Sequence, residues 1–275
     1  MKKWRGLWFS EIFNSKKPVI GMVHLKALPG SPGCKDSWEE ILEAALADAE
    51  ALCDGKVDGL QIENQFDWPF LLPEQIGAET TAFLTAAGCA VRREHPEVPL
   101  GINIHLNGGI QAVAAAKACG ADWVRVFNLA NGYISNSGYV DAIGPRLLRY
   151  RKAVGAEHVM IFGDFQVKHG SHAVTVDRTL WEKAHDVEMS MADAAVITGS
   201  ATGTAPDVQS ILAVKERLSI PLLIGSGLNE ANVKELWPYV DGAVIGSGFK
   251  KGADLKQPVD RELVTRFMET VHQQG

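Results

Sequence analysis

The stretch PLLIGSGLNEANVKELWPYVDGAVIGSGFKKG, residues 221–252, contains two apolar runs that both close on the tetrapeptide IGSG, at 224–227 and 245–248. A helical pattern lies between them, and a short turn carrying Asp241 leads into the second run. Run, helix, turn, run is the βαβ unit. Apolar runs without alternation belong to strands buried on both faces, as a parallel sheet requires.

Six runs of the same kind lead up to this pair: VIGMVHL (19–25), DGLQIEN (58–64), PLGINIHL (99–106), DWVRVFN (122–128), VMIFGDF (159–165) and AAVITG (194–199). Helical patterns separate them. The clearest, SWEEILEAALADAEALC, opens with Ser37 and Glu40 in an S-x-x-E capping box and stacks Ile41, Leu42, Ala45, Ala49 and Leu52 on one face. Three turns that enter strands, GADWVRV, ADAAVITG and VDGAVIGSG, share small residues and an aspartate. Eight βα units with no composition break predict a single α/β domain, a (β/α)8 TIM barrel over 18–275, for which about 250 residues suffice. A doubly wound open sheet is the alternative, and eight units would be many for it.

Residues 1–17, MKKWRGLWFSEIFNSKK, form an amphipathic segment ahead of the first run. Trp4, Leu7, Trp8 and Ile12 fall on a helical stripe that Phe9 and Phe13 widen. The expectation is an extra N-terminal helix closing the barrel's N-terminal mouth. Lys2, Lys3, Arg5, Lys16 and Lys17 beside those aromatics also fit a weak peripheral membrane contact.

Composition narrows the classes of partner. Against 33 acidic residues stand 27 basic ones, a net charge of −6, with no basic cluster beyond the N-terminal one, so nucleic acid is not expected. No apolar run approaches the roughly 18 residues of a transmembrane helix, and no signal peptide is present. Cys34, Cys53, Cys89 and Cys119 are scattered, which reads as free thiols in a reducing, cytoplasmic compartment. Barrels of this size often associate, so a homo-oligomer is compatible with the chain.

Barrel active sites form at the C-terminal ends of the strands. The runs deliver His24, then Glu63 and Asn64, His105, Arg125 and Asn128, Asp164 with Lys168 and His169 beyond it, and Thr198, Gly199 and Thr202. A carboxylate closing an apolar strand is costly to desolvate without partners, so Glu63 and Asp164 are the candidate acid/base pair. For both carboxylates an ion pair with Arg125 or Lys168 is the structural alternative. Arg125 alternates with Val124 and Val126, and the expectation is that it points into the barrel rather than outward. Lys168, in a loop, reads better as an anion binder with His169 than as a Schiff-base lysine. His24, Glu63, His105 and Asp164 could alternatively converge on a divalent metal, although no metal-ligand spacing and no nucleotide-cofactor motif is present.

The two IGSG turns close the last two strands, where barrels often hold phosphate. Glycine lets the backbone approach an anion, so the amides of Gly225, Ser226, Gly227, Gly246, Ser247 and Gly248 form one candidate clamp. The bland alternative is that these glycines only make tight turns.

PVIGMVHLKALPGSP, DGLQIENQFDWPF, DFQVKHG, ADAAVITGSATG, LLIGSGLNEANV and DGAVIGSGFKKG resemble the BtpA family in this order over nearly the whole chain. That family takes its name from a protein needed for photosystem I accumulation in cyanobacteria. Other members occur where there is no photosystem, some beside sugar-phosphate genes. The resemblance implies a barrel related to phosphate-binding barrels and no settled reaction. It carries over His24, Glu63, Asn64, Asp67, Pro69, Phe70, Asp164, Lys168, His169, Thr198, Gly199, Thr202 and Gly203. ENQFD and NIHLNGG depart from the family's E-N-F-G-D and N-x-L-x-N-D, and K-H-G-S-H from its K-H-x-x-P-L, so substrate choice can differ.

The expected function is that of an enzyme, an isomerase, lyase or hydrolase, acting on a phosphorylated small molecule such as a sugar phosphate or nucleotide-like compound. Glu63 and Asp164 would move protons, His24 and Asn64 would orient, and the two turns would hold phosphate. The alternative is a non-catalytic peripheral factor assisting biogenesis of a membrane complex.

Overall fold

In the computed structural model, which describes residues 9–199 and 203–274, eight parallel strands close into one barrel. They are β1 (Val19–His24), β2 (Gly59–Glu63), β3 (Leu100–Asn103), β4 (Trp123–Val126), β7 (Met160–Asp164), β8 (Ala194–Ile197), β9 (Leu222–Ile224) and β10 (Gly242–Ile245). Two short strands, β5 (Tyr133–Ser135) and β6 (Gly138–Val140), form an antiparallel hairpin outside it. A short α1 (Phe9–Ile12) precedes the barrel. One helix follows each barrel strand: α2 (Trp38–Asp54), α3 (Ala78–Glu94), α4 (Gly109–Cys119), α5 (Gly144–Ala153), α6 (Leu180–Met189), α7 (Val208–Lys215), α8 (Val233–Leu236) and α9 (Arg261–His272). Pairing of β10 with β1, from Val19↔Ala243 to Gly21↔Ile245, completes the ring and excludes the open sheet. The 99–106 run is strand only to Asn103, so His105 arrives on the turn beyond β3.

The strands are apolar throughout because each residue meets either the helices or the lumen. Val19, Val23, Leu60, Ile62 and Val124 belong to the layer under the helices. Ile20, Met22, Trp123, Phe162, Val196 and Val244 fill the lumen. Trp123 is the largest of these, and Gly101 on the next strand makes room for it: a Cβ there would stand 2.1 Å from the indole. Its Nε1 donates to Gln61 Oε1 at 3.0 Å. With a period of two along each strand, the next lumen positions are His24, Glu63, Asn103, Arg125, Asp164, Thr198, Gly225 and Gly246. The top layer of the barrel interior is therefore polar, and it is the floor of the site.

The opposite end is braced. The aspartate just ahead of β2, β4, β8 and β10 reaches back to the strand before it. Val19, Leu100, Ile161 and Leu222 donate their amides to Asp58, Asp122, Asp193 and Asp241 carboxylates at 2.8–2.9 Å. In return the four aspartate amides donate to the carbonyls of the same residues at 2.7–2.9 Å. At three of the four other junctions a proline, Pro18, Pro99 or Pro221, supplies only a carbonyl, to Ala243, Leu60 and Ala195. The shared aspartate turns of the sequence are thus two-bond rings tying strands in pairs.

Of the N-terminal segment, Trp4, Leu7 and Trp8 lie outside the described residues. Phe13 is buried in the lumen cluster with its ring centroid 5.2 Å from that of Trp123, and Ile12 packs against the same cluster. All four cysteines are free thiols. No described helix is long and apolar enough to cross a membrane.

Candidate functional site

Glu63 ends β2 inside the rim and is 4% exposed. Asn103 Nδ2 donates to its Oε2. Its Oε1 lies 2.9 Å from His105 Nε2 and 4.0 Å from His24 Nε2. The His105 approach is close but off a hydrogen-bonding direction, and the Nδ1 atoms of His24 and His105 are buried with no partner among the described residues. His105 is held as a plate, stacked on Phe70 at 4.3 Å and tilted against Phe127 at 4.7 Å. Burial alone would push Glu63 up, but His105, His24 and Arg125 together outweigh it and hold the carboxyl well below the usual range. Burial pushes His24 the other way, down to about 4, with Glu63 opposing and Lys250, Lys168 and His105 adding to the fall. At neutral pH the pair is an ionised carboxylate beside a neutral imidazole.

Asp164 is spoken for. Arg125 Nε and Nη2 donate to its two oxygens, each at 2.8 Å, with both side chains buried. Burial pushes Asp164 up and Arg125 pulls it back. The guanidinium fork occupies both Asp164 oxygens, so the geometry favours the ion-pair alternative for Asp164 over the acid/base role expected of it. The four-residue metal set is corrected for the same reason, since Asp164 faces Arg125 rather than Glu63. Among the described residues no three His, Cys, Asp or Glu are arranged to hold a metal ion.

The IGSG turns face one another. One cleft is lined by Gly225, Ser226 and Gly227 on one side and Gly246, Ser247 and Gly248 on the other. His24, Glu63, His105, Arg125 and Lys168 line it as well. Lys168 Nζ donates to Ser226 Oγ at 3.3 Å, and burial lowers its pKa, with Arg125 adding to the fall. The amide of Gly225 is spent on Ile197 O at 2.8 Å. Those of Ser226, Gly227, Ser247 and Gly248 have no backbone partner among the described residues. Steric need for glycine is also real. A Cβ on Gly246 would stand 2.7 Å from the His24 ring, and one on Gly227, whose φ is +81°, would stand 2.2 Å from Ala205 N.

Several expected ligand-binding residues hold loops instead. Asn64 accepts from His105 N at 2.8 Å and donates to Asp67 at 2.9 Å, which orients His105. Asn128 donates to Val140 O at 3.2 Å, anchoring the hairpin. Thr198 donates to Gln166 O at 2.9 Å, and Gly199 packs against the Thr204 carbonyl. Thr202 lies outside the described residues. His169 and Asp164 line a second cavity rather than the cleft. Gln65 and Phe127, which line both cavities, were not foreseen; only their position one or two residues past a strand end marks them in the sequence.

These features define a (β/α)8-barrel protein whose candidate site gathers buried ionisable groups under two glycine turns at the C-terminal rim. The chain belongs to the BtpA family, which it matches over residues 15–273. A relative from Archaeoglobus fulgidus is 36% identical over 253 residues, covering 92% of this chain and 98% of its own. An uncharacterized mitochondrial protein of Caenorhabditis elegans is 33% identical over 96% of each chain. The photosystem I biogenesis protein BtpA of Synechocystis is 32% identical over 95% of this chain and 90% of its own. Among solved structures, N-(5'-phosphoribosyl)anthranilate isomerase from Pyrococcus furiosus superposes with a TM-score of 0.56 at 15% identity, covering 93% of this chain and 99% of its own. The 3-keto-L-gulonate-6-phosphate decarboxylase of Vibrio cholerae does so with a TM-score of 0.57 at 14% identity, covering 94% and 99%. These two share the fold.

Proposed function

We propose that the chain is an enzyme acting on a phosphorylated small molecule. The phosphate sits between the Ser226–Gly227 and Ser247–Gly248 amides with Lys168 beside it, and Glu63 with His105 moves a proton on the adjoining part of the substrate. One observation carries this reading: both turns, the lysine and the buried carboxylate–imidazole pair line a single cleft. Backbone amides at glycine turns suit a phosphate because they donate without a side chain to desolvate. His105 Nε2 lies 2.9 Å from the Glu63 carboxylate, an arrangement in which the ring serves as base and the carboxylate as its partner. The reaction class is isomerisation, lysis or hydrolysis, each of which needs one proton shuttle and a held anion. The two barrels of known structure described above carry names of phosphorylated substrates, which agrees with this reading.

Titration calorimetry with inorganic phosphate and ribose 5-phosphate tests it. Binding at or below about 1 mM is expected, with Lys168→Ala weakening both by about tenfold or more. A wild-type chain that binds neither overturns it.

A further inference from the structure

A second pocket adjoins the cleft, and Gln65, His105, Phe127 and Lys168 line both. Its walls are aromatic and apolar: Trp68, Phe70, Leu106, Tyr133 and Val167 stand around it. Clusters of this kind under loops are ordinarily small satellite cores. Two observations distinguish this one. Its side chains leave a pocket between them, and Tyr133, 2% exposed, has a hydroxyl with no partner among the described residues, a costly arrangement unless something supplies an acceptor.

The walls are also pinned to one another, so the space is built in advance of any ligand. Ser137 Oγ donates to Phe70 O at 2.7 Å, joining the hairpin to the loop after β2. Ile134 and Ser171 exchange amide bonds at 3.0 and 2.8 Å, joining it to the loop after β7. The Tyr133 ring stacks on His172 at 5.8 Å and rests on Gly170, where a Cβ would stand 2.5 Å from it.

We propose that this chamber takes a flat aromatic ring of the substrate, so that the molecule bound is a ring-bearing phosphate ester of nucleoside-monophosphate type. This rests on the phosphate reading of the adjoining cleft. The ring lies among Phe70, Phe127 and Trp68, an acceptor on its edge meets the Tyr133 hydroxyl, and the phosphate reaches the glycine turns. Since Lys168 and His105 border both spaces, the sugar-sized linker crosses between them. Glu63, in contact with His105, then faces the linker, and chemistry falls on it rather than on ring or phosphate.

Calorimetry with inorganic phosphate, ribose 5-phosphate, adenosine, AMP and UMP against the full chain decides this. AMP or UMP is expected to bind about tenfold or more tighter than ribose 5-phosphate, the order of gain that stacked aromatic contacts provide. Trp68→Ala, at a surface position, and Tyr133→Phe, which keeps the ring, should reduce that gain while leaving ribose 5-phosphate affinity unchanged. Tyr133→Phe should also leave the thermal midpoint the same or raise it, because it removes an unpaired hydroxyl. Nucleotides that bind no tighter than ribose 5-phosphate overturn the ring chamber and leave the phosphate site standing. Adenosine binding with no affinity for any phosphorylated compound overturns the phosphate site and with it the class of ester named here.

Discussion

Arg125 and Asp164 meet through two parallel hydrogen bonds of 2.8 Å across the neighbouring strands β4 and β7, with 4% and 1% of their surfaces exposed. A third donor, Arg125 Nη1, reaches Gly225 O at 3.4 Å, so this ion pair also sets the height of the first glycine turn.

Asp164→Asn should therefore behave as a stability mutant. It leaves a buried guanidinium without its charge partner, a change that costs about 3–5 kcal/mol. Urea unfolding should show the midpoint falling with the slope unchanged. Arg125→Lys should do nearly as much damage, since one ammonium cannot replace a fork. A midpoint within error of wild type for both would refute the structural assignment.

Glu63→Gln should show the opposite profile. The amide keeps the contacts with Asn103 and His105 in shape but cannot stabilise an imidazolium. Turnover of whichever ester is accepted should fall about 10²- to 10⁴-fold, with ribose 5-phosphate affinity little changed. Equal losses in affinity and turnover would assign Glu63 to binding instead.

His24 makes the chain acid-sensitive in a specific window. Its folded value of about 4 lies below the ordinary 6.5, so the unfolded state takes up the proton first as pH falls. Its contribution is complete above about 6.5 and is lost progressively towards 4, up to about 3 kcal/mol. Glu63, also depressed, acts in the same direction, with its contribution lost at lower pH still. Comparing unfolding free energies of wild type and His24→Asn between pH 7 and 4 isolates the histidine part; parallel curves would contradict the burial assigned to His24.

The glycines of the two turns should not be equivalent. Gly227→Ala meets backbone at 2.2 Å in a left-handed conformation, whereas Gly246→Ala meets the edge of the His24 ring at 2.7 Å. The first should cost the fold more; the second should displace His24 and weaken phosphate binding with a smaller loss of stability. Paired thermal midpoints and phosphate titrations read the difference.

Much of this was legible in the chain. The eight apolar runs gave the barrel, and the alternation around Arg125 gave its inward direction. The repeated IGSG fixed where two turns would lie side by side. What sequence could not supply was pairing across the lumen. Arg125 and Asp164 are both strand-end polar residues, and the chain leaves open whether Asp164 pairs with Arg125, pairs with Lys168 or stays free for proton transfer. Asn64 and Asn128 read as ligand-binding amides because strand-end asparagines can be either; their hydrogen bonds run to His105 and Val140, on other elements. The hairpin has a local signal of its own: NSG at 136–138 between short β-prone runs, with Gly138 at φ +122°.

The aspartate rings at the lower end have an architectural consequence. Because they couple β1 to β2, β3 to β4, β7 to β8 and β9 to β10, while the strand ladders run unbroken round the ring, the lower end of the cylinder is fastened in four two-stranded leaves. A leaf is then the smallest piece that carries its own fastening, which makes it the natural currency for duplication or for transplanting a rim loop. Substrate preference can be rewritten at the upper edge of one leaf while the seams of the other three stay closed.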